Sequence, residues 1–243
     1  MTHLAARPAR RTSKGPRRPR GDVESSRHLI VAAAAREFAA RGFAATTVDR
    51  IAAAARLNKA MIYYHFGSKA GLYAEILRDM FGAVGARVRE VTASGAPPGE
   101  QIQRFVEAIA TEAEARPHFP PIWFREIADG GAHLDPQTLR EIAAVVGAVA
   151  GIVQAGVRDG EFQPVNPLLV HGGIVAPLLL FFASRPLRER IARAGIADAA
   201  RFERADVVGH IQRVTLEVLR GGPAARPASP EPPAARREGR SRR

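Results

Sequence analysis

Cysteine is absent from the 243 residues, and this absence narrows the chemistry open to the chain. Without a thiol there is no disulfide framework, no thiolate nucleophile and no cysteine-ligated zinc site. Lysine is scarce as well, since only Lys14, Lys59 and Lys69 stand among the 36 basic residues. Aromatic residues make up only 6% of the chain. Each aromatic side chain or lysine outside the core is therefore a candidate for a specific role.

The sequence also lacks the short motifs that mark common enzymes. It contains no Gly-x-Ser-x-Gly, no His-Glu-x-x-His and no phosphate-binding P-loop. The nearest approach to a catalytic pair is His133 with Asp135, two positions apart in a stretch expected to be a loop. We therefore expect no enzymatic activity, no metal ion and no cofactor.

Positive charge is concentrated at the two ends of the chain. The net charge is +12, residues 1–21 hold seven basic and no acidic residues, and residues 221–243 hold six arginines against two glutamates. Both ends are rich in proline, glycine and arginine, which predicts disordered basic tails. Such charge favours a polyanionic partner, although solubility and weak adhesion explain tails equally well. No apolar segment follows the basic start, so we expect a cytoplasmic protein without a secretory signal.

Between the tails the pattern is helical, and it lacks the alternation and hairpin turns of strands. Helix start and stop signals predict an all-α fold of about nine helices. The first is expected from Ser25 to Arg41 and is closed by Gly42. Thr46 and Thr47 open a short second helix, Asn58 caps a short third one, and Ser68 caps a long fourth helix that carries apolar residues from Leu72 to Val84. The remaining helices are expected near 100–115, 121–129, 135–158, 166–184 and 200–220.

The second and third helices have the spacing of a helix-turn-helix, whose second helix enters the major groove of DNA. Ile51, Ala52 and Ile62 are expected to hold the two helices together, and Ala52 must be small where they cross. The exposed face of the second helix then carries Lys59, Ala60, Met61, Tyr63, Tyr64 and His65, a set that suits phosphate hydrogen bonds and thymine-methyl contacts. The alternative is that Tyr63, Tyr64 and Phe66 form an aromatic core patch.

Residues 25–73 resemble the DNA-binding region of the TetR/AcrR family of bacterial repressors. The resemblance rests on Thr46-Thr47-Val48-Asp49-Arg50-Ile51-Ala52, Leu57-Asn58-Lys59, Ile62-Tyr63-Tyr64-His65-Phe66-Gly67-Ser68-Lys69 and Leu72. It implies an all-helical homodimer in which residues 22–68 bind DNA and residues 69–220 bind a ligand and dimerise. It further implies that the protein binds an operator in double-stranded DNA and is released by a small molecule.

The resemblance also implies roles for individual residues. Thr46 and Thr47 match residues that bind phosphate, and Lys69 matches a lysine that often does so. Lys59, Ala60, Met61 and Tyr63 match the groove-facing stretch, and Tyr64 and His65 match residues beside it on the DNA backbone. One residue departs from the family pattern. Arg56 stands in the turn where glycine is usual, and a left-handed backbone there would strain it by roughly 1 kcal/mol.

The C-terminal region is less informative about its ligand. A cavity between helices needs apolar walls and a few polar groups. Candidates for such a pocket are Phe105, His118, Trp123, Phe124, Arg125, His133 and His171. A histidine on an apolar helix is more often a core residue than a ligand contact, so each of these stays open.

Residues 167–184 form an apolar stretch that approaches transmembrane length. Gly172, Gly173 and Pro177 interrupt it, so we interpret it as a helix buried in a subunit interface rather than in a membrane. The resemblance implies a four-helix bundle between two subunits. The expected interface residues are Leu168, Ile174, Leu178, Leu179, Phe182, Val207, Ile211, Val214 and Val218.

The sequence thus predicts a homodimeric, sequence-specific transcriptional regulator, most simply a repressor of a palindromic operator. The alternative is a nucleoid-type protein that binds DNA with little sequence preference and ignores small molecules. Basic tails would serve that alternative as well.

Overall fold

The structure, a computed structural model, describes residues 20–196 and 201–222. These residues form ten α-helices and no β-strand, which confirms the all-α prediction with one helix more than expected. Residues 1–19 and 223–243, nearly all of the two tails predicted to be disordered, lie outside the described residues. The helices are α1 Arg20–Ala45, α2 Val48–Ala55, α3 Lys59–Phe66, α4 Lys69–Ala93, α5 Pro98–Ala115, α6 Phe119–Ala128, α7 Pro136–Arg158, α8 Pro167–Ala183, α9 Arg185–Arg193 and α10 Arg204–Leu219.

Side-chain caps start the helices where the sequence predicts. Asn58 accepts a hydrogen bond from the Ala60 backbone at 2.9 Å, and Asp135 accepts one from Thr138 at 2.7 Å. Asn166 caps α8 in the same way through Leu168. Each cap satisfies an amide that the first helical turn leaves without a partner. Gly42 has a φ of 77° and a ψ of 173°, which breaks α1 near its predicted end.

The chain divides into two compact units after Tyr73. The first unit therefore reaches beyond the expected boundary at residue 68, because the first turn of α4 belongs to its core. Leu72 is fully buried there, and the Tyr73 ring packs edge-on against Phe38 with ring centroids 4.6 Å apart. Other core residues of this unit include Ile30, Ala34, Ile51, Ala52 and Ile62, as the periodicity predicts.

In the second unit α5 packs against α7, α8 and α10. Its residues Ile102, Phe105 and Val106 are fully buried, because three neighbouring helices cover its apolar face. Burial of such side chains contributes roughly 1.5–3 kcal/mol each.

Helix α9 was missed by the sequence analysis, which expected only a connection between 184 and 200. It buries no residue, so packing against the rest of the subunit contributes little to it. A local ion pair between Arg185 and Glu189, 3.0 Å apart and four positions apart, supports it instead. Helix α10 correspondingly begins at Arg204, four residues later than expected.

Helix α7 is long and apolar enough to cross a membrane by length and composition alone, with a mean hydropathy of 1.5 over 18 of its residues. Helices α8 and α9, bent by 52° at their junction, pass the same test as a pair. Core helices of soluble proteins also pass it, so one or two candidates are weak evidence. The expected absence of a membrane partner stays a prediction.

Candidate DNA-binding site

Helices α2 and α3 form a helix-turn-helix whose turn is the three residues Arg56, Leu57 and Asn58. Two backbone hydrogen bonds close the end of α2: Leu57 donates to the Ala52 carbonyl at 3.0 Å, and Arg56 donates to the Ala53 carbonyl at 3.1 Å. This is the pairing of a Schellman motif, which turns the chain sharply out of a helix. The turn therefore sets the angle at which α3 leaves α2.

Helix α3 is held by one face and open on the other. Ile62 is fully buried, whereas Tyr63 and Tyr64 are 51% and 73% exposed. Lys59 and Ala60 are exposed as well, and Met61 is half-buried. The proposal of an aromatic core patch is therefore wrong for the two tyrosines, because the eight-residue helix turns them away from the buried side. The open face presents hydroxyls, a cation and methyl groups.

Lys59 is paired across the motif with Asp49 of α2, with 3.0 Å between its Nζ atom and Asp49 Oδ1. The hydrogen bond from Lys59 to Asp49, together with the attraction between their charges, raises the lysine pKa above its ordinary value. Both side chains are well exposed. Lys59 thus stays charged, and a DNA phosphate or base could replace its carboxylate partner.

The two adjacent threonines have different roles. Thr47 is exposed and caps α2, where its hydroxyl accepts a hydrogen bond from the Arg50 backbone at 3.3 Å. Thr46 is fully buried, and its hydroxyl donates to the Gly42 carbonyl at 2.8 Å. The expectation of a phosphate contact is therefore wrong for the Thr46 side chain. That side chain fastens the end of α1 to the start of α2.

Lys69 is also bound by protein groups, so the phosphate contact implied by the resemblance would require it to leave them and stays a prediction. Its Nζ donates to the carbonyl oxygens of Phe43 and Thr46 at 2.9 and 3.0 Å, and it stands 4.2 Å from the centre of the Phe43 ring. These carbonyls end α1, where the helix dipole favours a cation. Lys69 acts as a clamp from α4 onto the segment that carries Thr47.

His65 lies at the end of α3 and is half-buried. Its ring meets Tyr64 and Phe66 at centroid distances of 5.1 and 5.8 Å. Its Nε2 atom is enclosed without a hydrogen-bond partner among the described residues. A contact between His65 and the DNA backbone would therefore have to use the other ring nitrogen, Nδ1.

Sequence reasoning missed the charged pairs that surround this site. Glu37 of α1 accepts from Arg41 at 3.2 Å and from Arg50 of α2 at 3.4 Å. The Arg50 and Asp49 pairs link residues ten or more positions apart, so only the crossing of the helices brings them together. The presence of acids and bases on neighbouring helices was the available signal.

Two family models match the chain. The model described as "Bacterial regulatory proteins, tetR family" matches residues 30–76. The model described as "Tetracyclin repressor-like, C-terminal domain" matches residues 98–208, and the two together span more than half of the chain. The chain belongs to the TetR family. It is a DNA-binding transcriptional regulator, and the weakly specific nucleoid-type alternative is not favoured.

Named relatives agree with this TetR-family assignment. The chain is 25% identical over 200 residues to the HTH-type transcriptional repressor NicS of Pseudomonas putida, covering 82% of this chain and 94% of that one. It is 40% identical over 150 residues to the HTH-type transcriptional repressor KstR2 of Mycobacterium tuberculosis, covering 59% and 72%. The solved structure of that KstR2 protein has the same fold, with a TM-score of 0.64 at 22% identity over 80% of this chain and 94% of that one.

The expected ligand pocket of the TetR-family C-terminal unit stays a prediction, and its seven candidate residues lie in different surroundings. Phe105 is a core residue, and the His171 ring lies near it, with 6.3 Å between the ring centroids. The Trp123 ring packs edge-on against Phe81 at 4.9 Å, Phe124 is half-buried and Arg125 is exposed. Four surface cavities of about 360 to 630 Å³ occur on this unit, and none of the seven residues lines them.

Three of these candidates are histidines in contrasting environments. Burial lowers the pKa of His118, with a further contribution from the charge of Arg116, and burial alone lowers the pKa of His171. His133 instead pairs with the buried Glu126, with 2.8 Å between Nδ1 and Oε1. Glu126, His133 and Asp129 together bring three possible metal ligands within 4.8 Å, one fewer than a structural zinc site uses.

The expected interface residues divide into buried, half-buried and exposed groups. Ile174, Leu178, Leu179 and Ile211 are buried inside the subunit, so their assignment to the interface is wrong. They face α5 and its neighbours, because α8 and α10 each pack against α5. Phe182 and Val207 are half-buried, and the exposed members are Leu168, Val214 and Val218.

Proposed function

We propose that this protein is a homodimeric repressor that binds a palindromic operator and leaves it when a small molecule occupies the C-terminal unit. The observation that carries the proposal is α3, whose inner face is anchored by Ile62 while its charged and aromatic face is open. NicS and KstR2, both named repressors, support repression as the regulatory outcome. We place the protein in the bacterial cytoplasm, where an operator is accessible.

In this proposal α3 lies in the major groove. Lys59, Ala60, Met61 and Tyr63 face base edges, and Thr47, Tyr64 and His65 contact the sugar-phosphate backbone. The assignment follows the rule that the N-terminal residues of a recognition helix read bases while flanking groups fix its position. Thr46 and Lys69 act from behind by holding the start of α2.

The dimer is proposed to form through the exposed faces of α8 and α10. On α8 the exposed residues recur every four positions and are all apolar: Leu168, Leu169, Gly172, Gly173, Ala176, Pro177 and Leu180. Val214 and Val218 continue an apolar face on α10. A contiguous apolar stripe of this kind on a soluble subunit calls for a covering partner. A second copy covers it isologously, with the same patch on each side.

The two glycines in this stripe support close approach of another helix. A Cβ atom at Gly172 or Gly173 would meet nothing within 4 Å in the subunit, so packing inside the subunit does not require glycine there. Small residues permit two helix backbones to come together at a contact. A dimer formed this way would place two recognition helices on half-sites about one DNA turn apart, 34–36 Å.

Footprinting on the DNA upstream of the chain's own gene tests the function. We expect one protected palindrome whose two halves are about one helical turn apart. Even protection along the fragment, with no preferred site at moderate salt, would contradict a specific repressor and restore the nucleoid-type alternative.

The ligand-dependent part needs a separate measurement. A repressor of this kind should be released from its footprint by one small molecule among a chemically diverse set and hold its site with the others. Retention of the footprint with every compound that binds the protein would contradict release by a ligand.

A further inference from the structure

The backbone of Arg56 adopts a conformation that its side chain makes costly. Its φ of 55° and ψ of 39° place it in the left-handed helical region. Eight other described residues have positive φ, and all eight are glycine. A Cβ atom crowds the backbone in this region, which is why glycine usually fills it. Arg56 is therefore the one described position where the fold accepts this strain.

The turn itself does not need an arginine. Its closure uses only backbone groups, the bonds from Arg56 to Ala53 and from Leu57 to Ala52. Glycine would make both bonds without strain, and it is the residue that such helix ends prefer. Strain that the local structure does not require points to a role for the side chain.

The Arg56 side chain has no partner within the described residues to explain its presence. It is exposed, and none of the hydrogen bonds, ion pairs or ring contacts described for the protein involves it. The neighbouring cations differ, since Arg50 is paired with Glu37 and Lys59 with Asp49. Arg56 is thus a cation of the motif that can bind an anion without first leaving a partner within the described part of the protein.

The turn leads directly into the first residue of α3. Because the N-terminal residues of a recognition helix approach base edges, the turn before it stands at the rim of the groove, where the phosphates lie. An arginine there can reach a phosphate with a charge-assisted, two-pronged hydrogen bond. A phosphate contact positions the protein on DNA but does not read sequence.

We propose that Arg56 is a phosphate-binding residue that docks the helix-turn-helix on DNA and that its strained backbone is retained for this contact. The inference rests on the DNA-binding role of the family. It adds to the operator interface a residue at a position where a glycine would serve the fold better.

Three substitutions at Arg56 separate charge from backbone strain. Arg56→Gly removes both, Arg56→Asn removes the charge in a residue that tolerates the left-handed region, and Arg56→Lys keeps both. Binding of the full chain to a short random-sequence duplex, and to the footprinted operator, is measured by fluorescence anisotropy over a range of salt concentrations. Thermal unfolding of each variant is recorded alongside.

We expect Arg56→Gly and Arg56→Asn to bind both DNAs about three- to tenfold more weakly. The salt slope, which is the slope of log affinity against log salt concentration, should be smaller in magnitude by about 0.9, the value of one phosphate contact. Arg56→Lys should keep the wild-type slope, and the preference for operator over random DNA should not change in any variant. The unfolding midpoint of Arg56→Gly should rise, so weaker binding there cannot come from unfolding.

An unchanged slope in Arg56→Gly would overturn the proposal, and so would an equal loss of slope in Arg56→Lys. Tyr63→Ala serves as the matched control, since it should lower the operator preference and keep the slope. If wild-type protein shows no operator preference, specific regulation fails. If wild-type protein prefers the operator and the Arg56 variants have the wild-type affinity and salt slope, only the proposed phosphate contact is refuted.

Discussion

At the scale of single residues, the exposed face of α3 is where we propose that side chains contact DNA. Tyr63 and Lys59 present a hydroxyl and an ammonium group from a helix whose opposite side is anchored by Ile62. We expect Tyr63→Ala and Lys59→Ala each to weaken operator binding about ten- to a hundredfold, because each removes a contact made only with DNA.

Band shifts at fixed salt measure this effect, and size-exclusion chromatography checks that both variants keep the wild-type assembly. Normal affinity in both variants would show that α3 is not the recognition helix. Ser25→Ala, at an exposed position near the start of α1, is a suitable control and should bind as wild type.

Asp49 restrains a DNA-facing lysine in the free protein. Its carboxylate holds Lys59 at 3.0 Å, and that pair must exchange when Lys59 meets DNA. Asp49→Asn should therefore raise affinity about two- to fivefold, on the scale of an exposed ion pair. The gain in affinity should be at least as large for random DNA as for the operator, since the added attraction is independent of sequence.

Titration of both DNAs with the Asp49→Asn protein measures the two affinities. The salt slope should steepen slightly in this variant. A loss of affinity for both DNAs would instead show that Asp49 is needed to orient Lys59.

At the scale of elements, Lys69 joins α4 to the end of α1 and to the segment between α1 and α2. Its ammonium donates to two carbonyls at the end of α1 and stands over the Phe43 ring. Lys69→Met keeps the length of the side chain but loses these charged hydrogen bonds, so we expect a loss of about 2 kcal/mol in the free energy of unfolding.

Urea unfolding measures this loss, and Lys59→Met is the matched control because its only described bond is an exposed ion pair. The control should unfold like wild type. The Lys69→Met salt slope on random DNA should also equal that of wild type. A slope reduced by one contact would restore the phosphate role implied by the family resemblance.

Two histidines of the second unit make its stability depend on pH. Burial lowers the pKa of His118 and His171, so the unfolded chain binds more protons than the folded chain at mildly acidic pH. Stability from these groups is complete above the unfolded pKa of about 6.5 and is lost as the pH falls below it. The temperature at the midpoint of unfolding should therefore decrease as the pH is lowered from 7 to 5.

A protein carrying His118→Gln and His171→Gln should show a flatter dependence over this range in calorimetric scans. His28, exposed on α1, supplies the control: His28→Gln should leave the dependence as in wild type. An equally steep fall in the double variant would assign the effect to other groups.

At the scale of the whole molecule, the apolar stripe of α8 predicts the assembly. Leu168 and Leu180 are 60% and 59% exposed and lie at opposite ends of the stripe. Leu168→Glu with Leu180→Glu should yield folded monomers that lose operator binding, because each subunit then reaches only one half-site. Charged residues at Leu179 and Ile211 would instead disrupt the subunit core.

Sedimentation at micromolar concentration measures the assembly. Leu187→Glu on α9 is the matched control, since Leu187 is 58% exposed but lies outside the stripe, and it should remain dimeric. Monomeric wild-type protein would contradict the proposed interface, and the apolar face would then need a different partner.

Much of the fold follows from local rules that the sequence displays. Caps at Asn58, Asp135 and Asn166, glycines at helix ends and the four-residue spacing of apolar side chains depend only on neighbouring residues. For the same reason the helix-turn-helix, its buried Ile62 and its exposed Tyr63 could be predicted directly. Helix α9 was missed although Leu187 and Ile191 have the same four-residue spacing, because it is only nine residues long, is rich in arginine and buries none of its residues.

Only the tertiary structure decided which of two similar residues is exposed and which is held by protein groups. Thr46 and Thr47 are identical in sequence terms, and Lys59 and Lys69 both fall at positions that the family uses for DNA. The crossing of α1, α2 and α4 buries Thr46 and gives Lys69 two carbonyls to bind. The same principle places Leu179 in the core and Leu180 at the surface of a helix that is apolar on every side. Hydrophobicity determines that such a helix is covered, but the packing of its neighbours determines which face is left for a second subunit.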